Sequence, residues 1–312
     1  MFSDVHASVL WTLSGILAIL LFASLLTAFL KRAYPQKSYS ELTQRIITWW
    51  IMAGIFSTAI LMSRSASITL FACISFLALK EYFSLIPTRR ADRRVLFWAY
   101  AAIPFQYYWV HLEWYGMFII FIPVYVFLLL PMRMVMIGET KEFLRAAGTL
   151  HWGLMMMVFS LSHAAFFLVL DEGKNAVAGG AGLVLYLIFL TQMNDVAQYV
   201  WGKLTGRHKV IPKVSPNKTW EGFWGGLTTT TVLAALLAPQ LTPLSLSESV
   251  CAGLLIGCGG FIGDVTISAL KRDIGVKDSG SLLPGHGGIL DRIDSLTFTA
   301  PLLFHFVYYL HY

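Results

Sequence analysis

Apolar stretches follow one another along this chain with little between them. Ten can be read, at about 10–30, 46–62, 67–79, 95–110, 114–131, 151–170, 177–193, 223–238, 250–270 and 296–310. Most approach the ~20 residues that a helix needs to cross the hydrocarbon core of a bilayer. The runs are continuous, not alternating, and in lipid each backbone group must be paired within its own segment, so helices are the expected spanning form. The stretch at 67–79 is short and needs Lys80 and Glu81 to sit near the interface. The expected fold is an all-α integral membrane protein, a polytopic bundle of about ten transmembrane helices.

Composition agrees. The 312 residues are 57% hydrophobic and only 13% charged, against about a quarter charged in a soluble domain. Mean hydropathy is +0.67. The basic residues test the count of spans. Of 23 Lys and Arg, 21 fall in the gaps after the first, third, fifth, seventh and ninth stretches; Arg64 and Lys174 are the exceptions. By the positive-inside rule those gaps are cytoplasmic, which places both termini outside. The net charge of +6 follows from the same bias. Charge dispersed over loops in this way suits topology and anionic lipid headgroups, and no nucleic-acid partner is expected.

The first stretch is about 21 residues long, lacks a basic leader and is followed by basic residues, so it is read as a span and not as a cleaved signal. Cys73, Cys251 and Cys258 all lie in predicted spans with no CxxC pair, which leaves little ground for a disulfide or zinc site. Chemistry divides the chain in two. Residues 1–190 read as N-terminal transmembrane helices, with Trp49, Trp50, Trp109 and Trp114 near span ends as an interfacial belt. Residues 191–312 read as a C-terminal transmembrane catalytic region, because carboxylates, basic residues, glycines and prolines concentrate there.

Three polar blocks stand out in that region. The first runs from Asn194 to Lys203; Asp195, Tyr199 and Gly202 are spaced i, i+4, i+7 and share one helical face. The second runs from Pro212 to Gly222, with Ser215 before Pro216 in the pattern of a helix N-cap followed by a first-turn proline. A helix start offers free N–H groups, and Arg207, Lys213 and Lys218 add positive charge, so an anion site is one reading and an ordinary capped helix the other. The third block holds Asp264, Ser268, Lys271 and Arg272 at i, i+4, i+7, i+8, then Lys277-Asp278, Pro284-Gly285-His286-Gly287-Gly288 and Asp291-Arg292-Ile293-Asp294. A charge near a helix centre costs about 2.5–3.5 kcal/mol on insertion scales, and a bound cation would offset it. Asp264, Asp291 and Asp294 are therefore the candidate metal ligands. Hard oxygen ligands suit Mg²⁺ and basic side chains suit phosphate, which together read as metal-assisted phosphate chemistry. The alternative is an ion-pair network that holds helices together. His286 has three readings: a phosphate contact, a proton carrier or a turn cap.

These blocks resemble the phosphatidate cytidylyltransferases, also called CDP-diglyceride synthetases. Their C-terminal signature stands here as Ser268, Lys271-Arg272, Lys277-Asp278, Pro284-Gly285-His286-Gly287-Gly288 and Asp291-Arg292-Ile293-Asp294, and their upstream Ser-Pro-x-Lys-Thr-x-Glu-Gly piece as Ser215 to Gly222. The likeness is firm over about 191–295. It implies a homodimer in a bacterial inner membrane, with the active site facing the cytoplasm. It implies CTP and a lipid phosphate as substrates, membrane lipids as surroundings, and Mg²⁺ as cofactor, with a second, monovalent cation left open. Mapped by motif, the metal residues are Asp264, Asp291 and Asp294. The catalytic candidates are Lys271, Arg272, Asp278, His286 and Arg292. The substrate-binding candidates are Asp195, Tyr199, Ser215, Lys218, Thr219, Glu221, Ser268 and Lys277. One departure stands in the first block: Gln198 replaces a small residue and Asn194 precedes the aspartate, which opens the question of a different acceptor.

The implied reaction transfers CMP from CTP to phosphatidate, giving CDP-diacylglycerol and pyrophosphate. Rival readings are a paralogue acting on another lipid phosphate, a CTP-dependent lipid kinase that would release CDP, and a transporter that turns over no nucleotide. The chain has no Walker A loop and no Asp-Gly-x-x-Ala-Arg run, so P-loop ATPase and CDP-alcohol phosphotransferase chemistry are disfavoured.

Overall fold

A computed structural model describes residues 6–36, 38–87, 89, 93–280 and 287–312. Each of the ten apolar stretches is helical. The N-terminal part comprises α1 (Ala7–Ala33), α2 (Ser40–Met62), α3 (Arg64–Leu85) and α4 (Arg93–His111). Two interrupted segments follow. α5 (Tyr115–Ile120) and α6 (Phe127–Val135) are joined by a π-helical turn over Phe121–Val126. α7 (Phe143–Leu154) and α8 (Leu161–Phe166) are joined by another over Met155–Ser160. The C-terminal part comprises α9 (Gly179–Thr205), α10 (Trp220–Leu241), α11 (Leu246–Asp273), the single turn α12 (Leu290–Ile293) and α13 (Leu296–His311).

Among the described residues, seven helical segments are long and apolar enough to cross a membrane: Ala7–Ala33, Ser40–Met62, Arg64–Leu85, Tyr115–Val135, Phe143–Val169, Gly179–Thr205 and Leu246–Asp273. The other three expected spans are α4, α10 and α13. α13 has only 16 residues, about 24 Å at 1.5 Å per residue. α10 carries four consecutive threonines, Thr228 to Thr231, and α4 opens on two arginines and contains Gln106. The solvent that this bundle expects is visible on α1 and α2, where Phe22, Phe29, Ile51 and Ile55 all point outward. In water such a surface would be a large apolar patch; in lipid it is the ordinary exterior.

One sequence expectation is corrected. Ser215 does not cap a helix. It starts β2 (Ser215–Thr219), which pairs antiparallel with β1 (Lys209–Ile211) in a two-stranded hairpin. The cap is Thr219, whose Oγ1 accepts from the Gly222 N–H at 3.1 Å. Pro216 fits an extended edge segment as well as a first helical turn, and the Trp220 N–H bond to the His208 carbonyl at 2.9 Å closes the hairpin onto the start of α10.

Helices α9, α10, α11 and α13 form the core that carries the polar blocks. Small residues bring them close. A Cβ at Gly226 would lie 2.3 Å from Gln198 Cγ, and one at Gly263 would lie 2.5 Å from the Asp294 carbonyl oxygen. Close packing replaces the missing hydrophobic driving force between helices in lipid. Buried polar bonds add direction. Asn194 Nδ2 donates to the Gly257 carbonyl at 3.4 Å and its Oδ1 accepts from Thr230 at 3.2 Å, which ties α9 to both α11 and α10. Thr191 and Thr299 join α9 to α13 at 2.9 Å. The N-terminal helices pack around Ser75–Tyr107 at 2.7 Å and the Tyr82 hydroxyl on the Thr149 carbonyl at 2.9 Å.

Replacing Gly226 with Ala is expected to destabilise the protein by about 1–3 kcal/mol, as overpacking does. Gly54→Ala, where no atom lies within 4 Å of the added Cβ, is the control expected to leave stability unchanged. Thermal unfolding in detergent measures both.

Candidate active site

The C-terminal halves of α9 and α11, the loop after α11 and the α12 turn with Asp294 converge on a cavity of about 230 Å³. Each element delivers a side chain for a local reason. On α11, Asp264, Ser268 and Lys271 fall on one face, so Ser268 Oγ donates to Asp264 Oδ1 at 3.3 Å while Lys271 reaches onward. From β2, the Lys218 ammonium meets Asp264 Oδ2 at 2.6 Å and donates to Gln198 Oε1 at 3.0 Å. From α9, Asp195 Oδ1 accepts from the Ser295 hydroxyl at 3.0 Å. Asp294 accepts from the Ser295 N–H at 2.8 Å.

A second ion pair closes the other side. Lys271 Nζ lies 2.6 Å from Asp291 Oδ1, with the two side chains 11% and 7% exposed. Asp291 Oδ2 accepts from the N–H groups of Ser279 at 3.0 Å and Gly288 at 3.1 Å, and lies 2.9 Å from Ser279 Oγ. Both of its oxygens are thus engaged.

Five carboxylates line the cavity, Asp195, Asp264, Asp278, Asp291 and Asp294, against two basic side chains, Lys271 and Arg292. The imbalance bears on which groups hold their protons. Burial, then the charges of Asp264 and Asp195, push the Asp294 carboxyl well above the usual carboxylate range. Burial alone would lower the Lys218 ammonium, but Asp264 and Asp195 outweigh it and hold it above its ordinary value. Burial would raise Asp291, but the Lys271 bond and charge and the Ser279 and Gly288 N–H groups hold it below. An acid-rich pocket of oxygen donors is suited to a hard divalent cation.

The expected metal trio is not gathered as one ready-made ligand set. Among the described residues, no three His, Cys, Asp or Glu side chains are arranged to hold a metal ion. Lys218 pairs with Asp264, and Lys271 with two N–H groups engages Asp291. Asp195 is a further charged neighbour of both Asp264 and Asp294.

The other sequence candidates divide clearly. Asp195, Asp264, Lys271, Asp278, Asp291, Arg292 and Asp294 all line the cavity, and Lys218 and Ser268 touch it through Asp264. Arg272 turns away, with Nε on the Val214 carbonyl at 3.2 Å and Nη1 on the Val276 carbonyl at 3.1 Å. Successive helical residues point about 100° apart, and here Lys271 takes the cavity side while Arg272 is drawn to the Val214 and Val276 carbonyls. Tyr199 is 64% exposed, with the Lys203 ammonium 5.8 Å from its ring centre. Ser215 lies in β2 and Thr219 caps α10. Glu221 accepts from the Arg207 and His208 N–H groups and pairs with His208 Nδ1 at 2.6 Å. Lys277 is exposed on the loop after α11. His286, with Pro284 and Gly285, lies outside the described residues.

Three contributors escape the sequence reading of the site. Ser295 bonds Asp195, Ser279 bonds Asp291, and Glu81 at the end of α3 bonds Ser279. Ser295 directly follows the Asp-x-x-Asp run, which is a usable signal; Glu81 reads only as an interfacial charge.

Comparison with known proteins shows the family. Residues 43–310 match the model of the cytidylyltransferase family. The chain is 48% identical over 301 residues to uncharacterized protein YnbB of Escherichia coli (strain K12), covering 96% of this chain and 99% of that protein. It is 39% identical over 143 residues to a phosphatidate cytidylyltransferase of Staphylococcus saprophyticus, covering 44% of this chain and 52% of the relative. The figure is 42% over 126 residues for the phosphatidate cytidylyltransferase of Staphylococcus aureus (strain COL), covering 40% and 48%. The staphylococcal matches thus span about half of each relative. The family match runs from within α2 to within α13 and takes in every element that lines the cavity, and this helical membrane protein belongs to the cytidylyltransferase family.

Proposed function

We propose that this protein transfers CMP from CTP to a lipid phosphate, phosphatidate, to give CDP-diacylglycerol and pyrophosphate, on the cytoplasmic face of a bacterial inner membrane. The observation that carries the reading is the cavity itself: an acid-rich pocket with Lys271 and Arg292 in its wall, at the C-terminal ends of two apolar helices. That is where a lipid headgroup and a water-soluble nucleotide can meet. The family match and the names of the staphylococcal relatives support it.

The acceptor phosphate is anionic at neutral pH, so its oxygen needs no strong base to become a nucleophile. It attacks the α-phosphorus of CTP; the bond from that phosphorus to the bridging oxygen breaks, and pyrophosphate leaves with the electron pair. Arg292 suits the phosphates directly, because its Nε is buried with no partner among the described residues. Lys271, held by Asp291, adds a fixed positive charge. Lys218 steadies Asp264 and marks the place where cation charge belongs. Asp264, Asp291 and Asp294 would hold Mg²⁺, which when bound would supply neutralising charge at the phosphates.

A second acceptor is favoured by one observation. Gln198 accepts from Lys218, at a position beside the cavity. Another lipid phosphate, bound in place of phosphatidate, fits the same chemistry.

Purified protein in detergent with Mg²⁺, labelled CTP and phosphatidate is expected to form pyrophosphate and CDP-lipid in equal amounts; CDP in place of pyrophosphate would establish a lipid kinase. Asp264→Asn and Asp291→Asn should each lower turnover by at least about 100-fold with the protein still folded in the membrane, a typical effect of removing one charged group at a phosphoryl-transfer site. Wild-type-like rates in both would remove the cavity from the reaction. Gln198→Ala, which frees Lys218, should shift relative rates among lipid phosphate acceptors, read as kcat/KM for each.

A further inference from the structure

Glu81 stands far from the sequence motifs, yet its carboxylate is embedded among them. It lies in the last turn of α3. Its Oε2 accepts from the Ile289 N–H at 2.9 Å, and its Oε1 accepts from the Leu290 N–H at 3.1 Å and from the Ser279 hydroxyl. Helix α12 begins at Leu290 and has no side-chain cap from its own neighbourhood. Glu81 therefore satisfies N–H groups that α12 would otherwise leave open, from a residue 208 positions away in the chain for Ile289.

The contact is close. A Cβ at Gly288 would fall 1.9 Å from Glu81 Oε1, so the carboxylate lies against bare backbone. Ser279 lies between Glu81 and Asp291. Its one hydroxyl proton can serve only one of them. Whichever carboxylate takes it, the Ser279 N–H still bonds Asp291 Oδ2, so Ser279 touches both. The line of contacts then runs from Glu81 through Ser279 to Asp291 and on to Lys271. Arg292 and Asp294, which follow on the same turn, line the cavity too.

We propose that Glu81 is a positioning residue for the phosphate-handling segment 287–295, acting through Ser279 and the start of α12. The proposal rests on the nucleotidyl-transfer reading above. Glu81 touches no reacting atom. It sets the angle at which Asp291, Arg292 and Asp294 meet their ligands, and misplacement of about 1 Å at such groups can cost about 100-fold in rate.

The test uses the purified full chain with CTP, phosphatidate and Mg²⁺, comparing wild type, Glu81→Gln, Ser279→Ala and the double variant. Glu81→Gln should lower kcat about tenfold to 100-fold, with the KM for CTP and the melting temperature close to wild type. Amide exchange at Ile289 and Leu290 should accelerate selectively. The double variant should lose no more kcat than the worse single variant, because both changes cut one connection. A folded Glu81→Gln protein with wild-type kcat and wild-type exchange overturns the proposal, as does a lowered melting temperature with kcat unchanged. If Glu81→Gln does not fold, Ser279→Ala carries the same comparison. Should the wild type form no CDP-lipid, the transfer reading fails on its own. The exchange comparison still decides the clamp: acceleration confined to 287–295 supports it, and unchanged exchange overturns it.

Discussion

Lys218 reaches Asp264 from a hairpin that lies outside the bundle of helices, and Lys271 reaches Asp291 from within it; the two contacts are both 2.6 Å long. Everything around the cavity is arranged so that these cations arrive. For the more buried pair, Lys271–Asp291, removing one partner costs about 3–5 kcal/mol, because the survivor is left charged and uncompensated. The hairpin must therefore fold back across the end of α11, and the α12 turn must stand where Asp291 can meet Lys271. The glycines of α10 and α11 serve the same end, since Gly226 and Gly263 let α9 and the Asp294 backbone approach closely enough for Asp195, Asp264 and Asp294 to feel one another.

The result is a pocket whose charges are compensated but not balanced. Asp294 is the residue where the imbalance shows, as burial and two neighbouring carboxylates favour its neutral form. Asp291, by contrast, is held ionised by Lys271. Two aspartates three residues apart thus carry opposite tendencies in one wall, as groups with different tasks do.

Much of this was legible in the residues, and the remainder was hidden for identifiable reasons. Most of the helices show because each is a long apolar run, and membrane helices satisfy their own backbones. Asp264, Ser268 and Lys271 show because all three belong to one helix and their spacing alone places them on a face. The hairpin was hidden because Ser215-Pro216 obeys the local rule for a helix start, while the strand depends on pairing with Lys209–Ile211. Lys271 and Arg272 are neighbours in sequence but point apart, and Tyr199 shares a face with Asp195 yet emerges from the packed core. The company of Asp195 and Asp264 depends on how α9 meets α11. Glu81 was least visible of all, because its partners lie 198 to 209 residues further on.

The Glu81 contact also bears on how such a chain can vary. Residues 1–190 look like scaffold and 191–312 like machinery, a division that invites treating the two as exchangeable modules. One carboxylate denies that independence. A hybrid built from the front of one family member and the back of another would inherit a working cavity only if the donor helix still presented an acceptor at the depth of Ile289 and Leu290. Recombination between distant relatives is thus constrained at a point that neither half reveals by itself, and Glu81 and the glycine it rests against at position 288 should drift together or not at all.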